Sequence, residues 1–224
     1  LETIMNLDCR ILPVTPFQQN CAFLFDPATK SGVVIDPGGD FPRLARAIAE
    51  LGLHIEAIWL THGHLDHAGG ARALKAHLES QQKSPVPVIG PDRRDAFLLE
   101  SISEQAARFG LEGLEGVTPD RFLEEGETLE VGGVGFTVRH CPGHTPGHVV
   151  FIAPALRFAI LGDVLFRGSV GRTDFPYGDH DQLISSIVHK ILPFGDDIQF
   201  ICGHGPGSTL GEERRHNPFL QGMA

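Results

Sequence analysis

The stretch THGHLDHAGG, residues 61–70, decides how this sequence is read. His62, His64, Asp66 and His67 crowd together, and two glycines follow. The cluster stands directly behind AIWL, an apolar run that reads as a buried strand. Buried polar side chains without partners cost roughly 1–3 kcal/mol each, so a cluster this dense needs something to bind. In an extended backbone, side chains two residues apart point the same way. His62 and His64 therefore face one point, and a turn at Leu65 sends Asp66 and His67 to a neighbouring one.

The same arrangement recurs along the chain. RILPVTPF, NCAFLFD and KSGVVID read as strands, the last ending at Asp36. Asp40 is the expected cap of a helix marked by Leu44, Ile48 and Leu51 and stopped at Gly52. Ala71, Leu74 and Leu78 mark the next helix, and PVPVI a short strand. Leu98, Ile102, Ala106 and Phe109 form a further helical stripe that ends at Gly110. Residues 111–125, rich in Gly and Glu, read as a loop. ETLEV and VGFTVRH flank Gly132 and Gly133 as a hairpin. VVFIA and LRFAILGD follow as strands. Asp179 and Gln182 form the expected capping box of a helix carrying Ile184, Ile187, Val188 and Ile191, closed by Pro193. IQFICGH is the last clear strand.

Four of these strands run into metal-capable residues. AIWL leads to His62, His64, Asp66 and His67, and FTVRH leads through CPG to His144. FAILG leads to Asp163 and QFICG to His204. Five histidines and two carboxylates exceed the needs of one tetrahedral ion and suit two ions sharing a carboxylate. His54, His77, His140, His180, His189 and His216 read as surface or packing residues. So do Cys141 and Cys202.

The bulk composition narrows the function classes. The chain has 224 residues, 42% hydrophobic and 21% charged, with a formal net charge of -10. Interleaved strands and helices with no strong linker predict one α/β domain over residues 1–224. The acidic balance disfavours nucleic acid and anionic membrane surfaces as partners. No apolar run reaches the ~20 residues of a membrane span, and LETIMNLDCRILPV lacks the features of a signal peptide. Four cysteines without a CxxC pair read as reduced thiols, so a cytoplasmic location is expected.

THGHLDH, PGHTPGH, LGD and GHGP together resemble the successive metal motifs of the metallo-β-lactamase fold superfamily. The resemblance implies a four-layer αβ/βα sandwich with a dinuclear site at one edge. It implies a first metal on His62, His64 and His144, a second on Asp66, His67 and His204, and Asp163 bridging both. Asp36 matches the aspartate that supports the metal loop. The ions implied are two divalent metals, with zinc expected and iron or manganese compatible with the same donors.

Within that superfamily the chain is most similar to the glyoxalase II group, particularly its short bacterial branch, through GRTDFPYGDHDQLISSI and STLGEERRHNPFL. This similarity implies hydrolysis of S-acylglutathione thioesters such as S-lactoylglutathione, a small-molecule substrate. Asp66 is expected to orient the attacking hydroxide. Arg172 is the expected reader of a substrate carboxylate, since its planar fork suits one. Tyr177 is expected to pack in its loop. GRTDF also resembles the persulfide dioxygenases, which implies as an alternative a single iron on His62, His144 and Asp163. A lactonase using the same dinuclear site is a second alternative.

Overall fold

The computed structural model describes residues 7–222. Part of the amino-terminal stretch read for a signal peptide lies outside them. Two sheets face one another. The first orders β1 (Asp8–Val14), β2 (Gln19–Phe25), β3 (Ser31–Ile35), β4 (His54–Trp59) and β5 (Val88–Ile89) side by side. Its first three strands pair antiparallel and its last three parallel. The second contains β6 (Thr128–Val131), β7 (Val134–His140), β8 (Val149–Ala153), β9 (Phe158–Ile160), β12 (Gln199–Ile201) and β13 (Ser208–Thr209), in the order β13-β12-β9-β8-β7-β6. A small hairpin, β10 (Leu165–Phe166) with β11 (Ser169–Val170), connects β9 to the following helix.

Strand alternation explains the layers. In β2, Cys21, Phe23 and Phe25 join an outer core with Leu44, Ile48, Leu74, Leu78, Ile102 and Ala106. Ala22 and Leu24, on the opposite face, join a core between the sheets with Val33, Trp59, Phe136 and Phe151. Period two makes both faces apolar, so the strand reads as a continuous hydrophobic run. Likewise β8 sends Val150 and Ile152 to a third core, with Leu183, Ile184, Ile187 and Leu210, while Val149 and Phe151 face the first sheet. Trp59 ties the sheets together, meeting Phe136 at 5.7 Å and Phe151 at 5.2 Å between ring centroids. Three cores between successive layers make a helix–sheet–sheet–helix sandwich, as the motifs implied.

Helices α1 (Phe41–Leu51) and α3 (Ala71–Gln82) cover the first sheet, and between them α2 (Leu65–Ala68) is a single turn. Helices α6 (His180–Ser186) and α7 (Leu210–His216) cover the second. Several local expectations are corrected. Asp40 does not cap α1: its backbone is left-handed and its carboxylate accepts Thr15 N–H at 2.9 Å. The stripe from Leu98 to Phe109 is two helices, α4 (Ala96–Glu100) and α5 (Ile102–Arg108), broken at Ser101. Phe109 lies beyond α5 and is 60% exposed. Asp179 caps α6 through Gln182 N–H, but its own N–H donates to Gly143 O, so the box is not closed. The helix expected through Ile191 ends as a π turn, Ile187–Ile191, before Pro193. Among the described residues, no helix is long and apolar enough to cross a membrane.

Candidate metal centre

The ends of β3, β4, β7, β9 and β12 feed one edge of the sandwich. Backbone bonds join the sheets there: Val149 N–H to Thr61 O at 2.8 Å and Asn20 N–H to Gly203 O at 2.7 Å. All seven donors expected from the sequence meet at this edge, in two adjoining groups. His64 Nδ1 lies 3.1 Å from His62 Nε2 and 3.0 Å from His144 Nε2. Asp66, His67 and His204 form the second group, with 3.3 Å from His204 Nε2 to Asp66 Oδ2. Asp163 stands between. Its Oδ1 is 3.3 Å from His67 Nε2, and its Oδ2 is 3.5 Å from His144 Nε2 and 3.6 Å from His204 Nε2.

The surrounding hydrogen bonds set which ring nitrogen is free. His144 Nδ1–H donates to Arg172 O at 2.7 Å, and His204 Nδ1–H to Phe17 O at 3.1 Å. His67 Nδ1–H donates to Asp36 Oδ2 at 2.9 Å. Asp36 also accepts Thr61 N–H at 2.8 Å and Thr61 Oγ1–H at 2.6 Å, which leaves Thr61 Oγ1 to accept His62 Nδ1–H at 3.0 Å. Asp36 thus bonds to both Thr61 and His67 from a left-handed backbone of φ 51°. Each bond leaves the Nε2 of its histidine aimed into the edge, the usual outer support of a metal-ligating imidazole.

The donor sets fit divalent cations. Burial holds His62 far below the usual imidazole range, with His67 and other neighbouring rings adding to the effect. Burial and His144 push His64 down to about 3, and burial lowers His144. Three neutral rings therefore direct lone pairs at one point, an arrangement that a cation relieves. His67 Nε2 and Asp163 Oδ1, 3.3 Å apart, are buried and meet no other hydrogen-bond partner. Burial opposes ionisation of Asp163, but His67 and other neighbouring histidines hold its carboxyl well below the usual carboxylate range. A buried carboxylate oxygen and a buried imidazole nitrogen with no other partners, beside a row of unprotonated nitrogens, are metal-type donors.

Three supporting residues escaped the sequence reading. His148 is buried, stacks on His62 at 4.5 Å, and its Nε2 accepts the Asp163 N–H at 3.0 Å. The signal was present in PGHTPGH, whose second histidine received no separate role. Tyr177 was expected to pack in its loop, yet its Oη lies 2.9 Å from His64 Nε2. It accepts that proton and leaves Nδ1 free. Asp95 carried no sequence signal, because its partners come from two distant loops.

Asp95 is fully buried. Its Oδ2 accepts Gly63 N–H at 2.9 Å and Thr145 Oγ1–H at 2.7 Å, and its Oδ1 accepts Gly147 N–H at 2.6 Å. It therefore fastens the loop of His62 and His64 to the loop of His144. Burial pushes its carboxyl up to about 6, against these three donors. Asp95→Asn replaces one acceptor oxygen by an NH2 group facing a donor. Outer-sphere losses of this kind typically weaken metal binding by about 10–100-fold, and a chelator-competition titration should show a drop in that range. An unchanged affinity would mean that the two loops hold without Asp95.

Arg172 sits beside the edge, but its guanidinium is engaged. Nε and Nη2 donate to the two oxygens of Asp174 at 2.7 and 2.8 Å, and the group lies 4.6 Å over the Phe175 ring. Cys141 and Cys202 are buried packing residues, as expected, and burial pushes their thiols up to about 12 and about 11.

The comparisons agree with this geometry. The family model of the metallo-beta-lactamase superfamily matches residues 14–204. The hydroxyacylglutathione hydrolase GloC of Haemophilus influenzae is 50% identical over 217 residues, covering 96% of this chain and 98% of the relative. The crystal structure of the BLEG-1 B3 metallo-beta-lactamase superposes with a TM-score of 0.86 at 35% identity, covering 96% of this chain and 100% of that one. That of TTHA1623 in a di-iron-bound form gives 0.80 at 37% identity, covering 94% and 100%. The chain belongs to the metallo-β-lactamase superfamily.

Proposed function

We propose that this protein hydrolyses S-acylglutathione thioesters such as S-lactoylglutathione, using two divalent metal ions at the edge just described. The observation that carries the reading is the pair of complete, adjoining donor groups with Asp163 between them. His62, His64 and His144 would hold one ion, and Asp66, His67 and His204 the other. Bound there, divalent ions acidify water and polarise a carbonyl oxygen. The high similarity to GloC supports glutathione as the carrier, and the broader statement, a metal-dependent hydrolase, rests on the family as well.

The chain's own residues supply orientation. Asp66 Oδ2 points at His204 Nε2 from the second group, its side chain 14% exposed, and would accept a hydrogen bond from an attacking water. A thiolate leaves readily because thiols ionise near pH ~8.5, so no acid is required of the protein. Neither Cys141 nor Cys202 is suited to serve as nucleophile, since both are buried with raised pKa values.

Elemental analysis beside a thioester assay tests this reading. Roughly two zinc, iron or manganese ions per chain are expected, with thioester hydrolysis lost on chelation and restored by metal. The similarity to a di-iron-bound protein makes iron as admissible as zinc. The complete second donor group weighs against the single-iron dioxygenase reading. One iron per chain, with oxygen uptake on glutathione persulfide and no thioester hydrolysis, would replace the present reading by that one. Hydrolysis of a lactone in preference to any thioester would favour the lactonase.

Arg172 remains the proposed carboxylate reader. Its pair with Asp174 lies in water, where solvent screens the attraction, so a substrate carboxylate can displace Asp174. Arg172→Ala should raise KM for S-lactoylglutathione by roughly three- to ten-fold with little change in kcat. Asp174→Ala, which frees the guanidinium, should lower KM. Equal losses on a small neutral thioester would show that Arg172 supports the loop and does not read the substrate.

A further inference from the structure

We propose that Phe17 and Phe109 form an acyl subsite that selects thioesters whose acyl group carries an aryl ring; this rests on the thioesterase reading above. An aromatic cluster neighbours each end of the donor row, one through the Tyr177 hydroxyl on His64 and the other through the Phe17 main-chain carbonyl on His204. At the His64 end, Tyr177 contacts His64 Nε2 and stacks on Phe175 at 5.3 Å, with Phe97 edge-on to Tyr177 at 5.5 Å. At the His204 end, the Phe17 carbonyl accepts His204 Nδ1–H, and the Phe17 ring meets Phe109 edge to face at 5.3 Å and 88°. Phe109 follows α5, which packs on α2, the turn carrying Asp66 and His67.

Charge decides which end takes which part of the substrate. The guanidinium of Arg172 lies over Phe175 at the His64 end, so the carboxylate-bearing carrier belongs there. The carbonyl must sit over the donor row, and the acyl group then extends toward His204. There Phe109 and Phe17 are 60% and 37% exposed, although the fold buries Phe23, Phe25, Phe136 and Phe151 almost completely. Apolar rings left in water beside a reacting centre form a contact surface for a ligand. An edge-to-face pair extends naturally by a third ring in the same geometry. The methyl of a lactoyl group is too small to cover both rings.

The test compares acyl groups that differ only in methyl against phenyl. Metal-loaded protein should show kcat/KM for S-mandeloylglutathione about ten-fold above that for S-lactoylglutathione, the scale of a well-filled apolar pocket. Phe109→Ala and Phe17→Ala should each remove most of that preference, and Phe109→Leu should restore part of it. Phe219→Ala, a comparably exposed ring beside His180, should leave the preference intact. Calorimetry with the unreactive thioethers S-phenacylglutathione and S-acetonylglutathione reads the subsite without turnover. The phenacyl compound should bind about ten-fold more tightly, and Phe109→Ala should erase the difference. Equal binding of the two, or a preference unmoved by both alanine variants, would overturn the subsite even with thioester hydrolysis intact. Absent hydrolysis of both thioesters would instead sink the thioesterase reading, while the calorimetric difference would still report on the rings.

Discussion

Asp163→Ala is expected to lose thioester hydrolysis by well over a hundred-fold and to lower metal content. The carboxylate faces His67, His144 and His204 at once, at 3.3 to 3.6 Å. Removing a partner outside the ligand shell costs about 10–100-fold, and a group shared by both donor sets should exceed that. Asp66→Ala should cost less, because Asp66 contacts only the second set, 3.3 Å from His204 and 3.9 Å from His67. Metal analysis and kcat/KM measured on both variants decide the matter. Near-normal turnover and metal content in Asp163→Ala would show that Asp163 does not bridge the two groups.

Gly203→Ala should be nearly as damaging, for a steric reason. A methyl group at this position would lie 2.0 Å from Asp163 Oδ1 and 2.6 Å from His67 Cε1. The backbone cannot retreat. Gly203 N–H donates to Gly162 O at 2.8 Å, and Gly203 O accepts Asn20 N–H at 2.7 Å from the opposite sheet. The carboxylate must therefore turn away from its place between the two groups. Overpacking of this kind costs about 1–3 kcal/mol, roughly 2–12 °C in Tm for a chain of this size. Metal content should fall toward one ion per chain, with activity close to that of Asp163→Ala. Full metal content with unchanged Tm would contradict the crowding.

The donor residues were legible because each follows an apolar strand. A strand with both faces buried reads as an unbroken hydrophobic run, and the polar residues after it mark the place where the chain leaves the core. That pattern alone picked out His62, His64, Asp66, His67, His144, Asp163 and His204. The role of Asp36 came from the family resemblance, since the strand pattern shows only that it ends VVID. The four layers followed from the family resemblance, and strand alternation in β2 and β8 shows their physical origin.

Local signals failed where a side chain had a better partner elsewhere. Asp40 is placed to cap α1, but the Thr15 N–H from the β1–β2 turn takes its carboxylate. Phe109 fits a helical stripe by spacing, yet α5 ends at Arg108 and the ring turns to Phe17. Spacing likewise gave no sign that the Arg172 guanidinium pairs with Asp174, two residues away.

The sequence by itself determined which donor-type side chains follow which strand, because hydrophobic periodicity and donor chemistry are local properties. Only the tertiary structure decided which nitrogen each histidine offers and which residues hold the donors in place. Those depend on hydrogen bonds between segments far apart in the chain: Asp95 with Gly63 and Gly147, His148 with Asp163, Tyr177 with His64. No spacing rule encodes such contacts, since they exist only when two sheets bring their edges together.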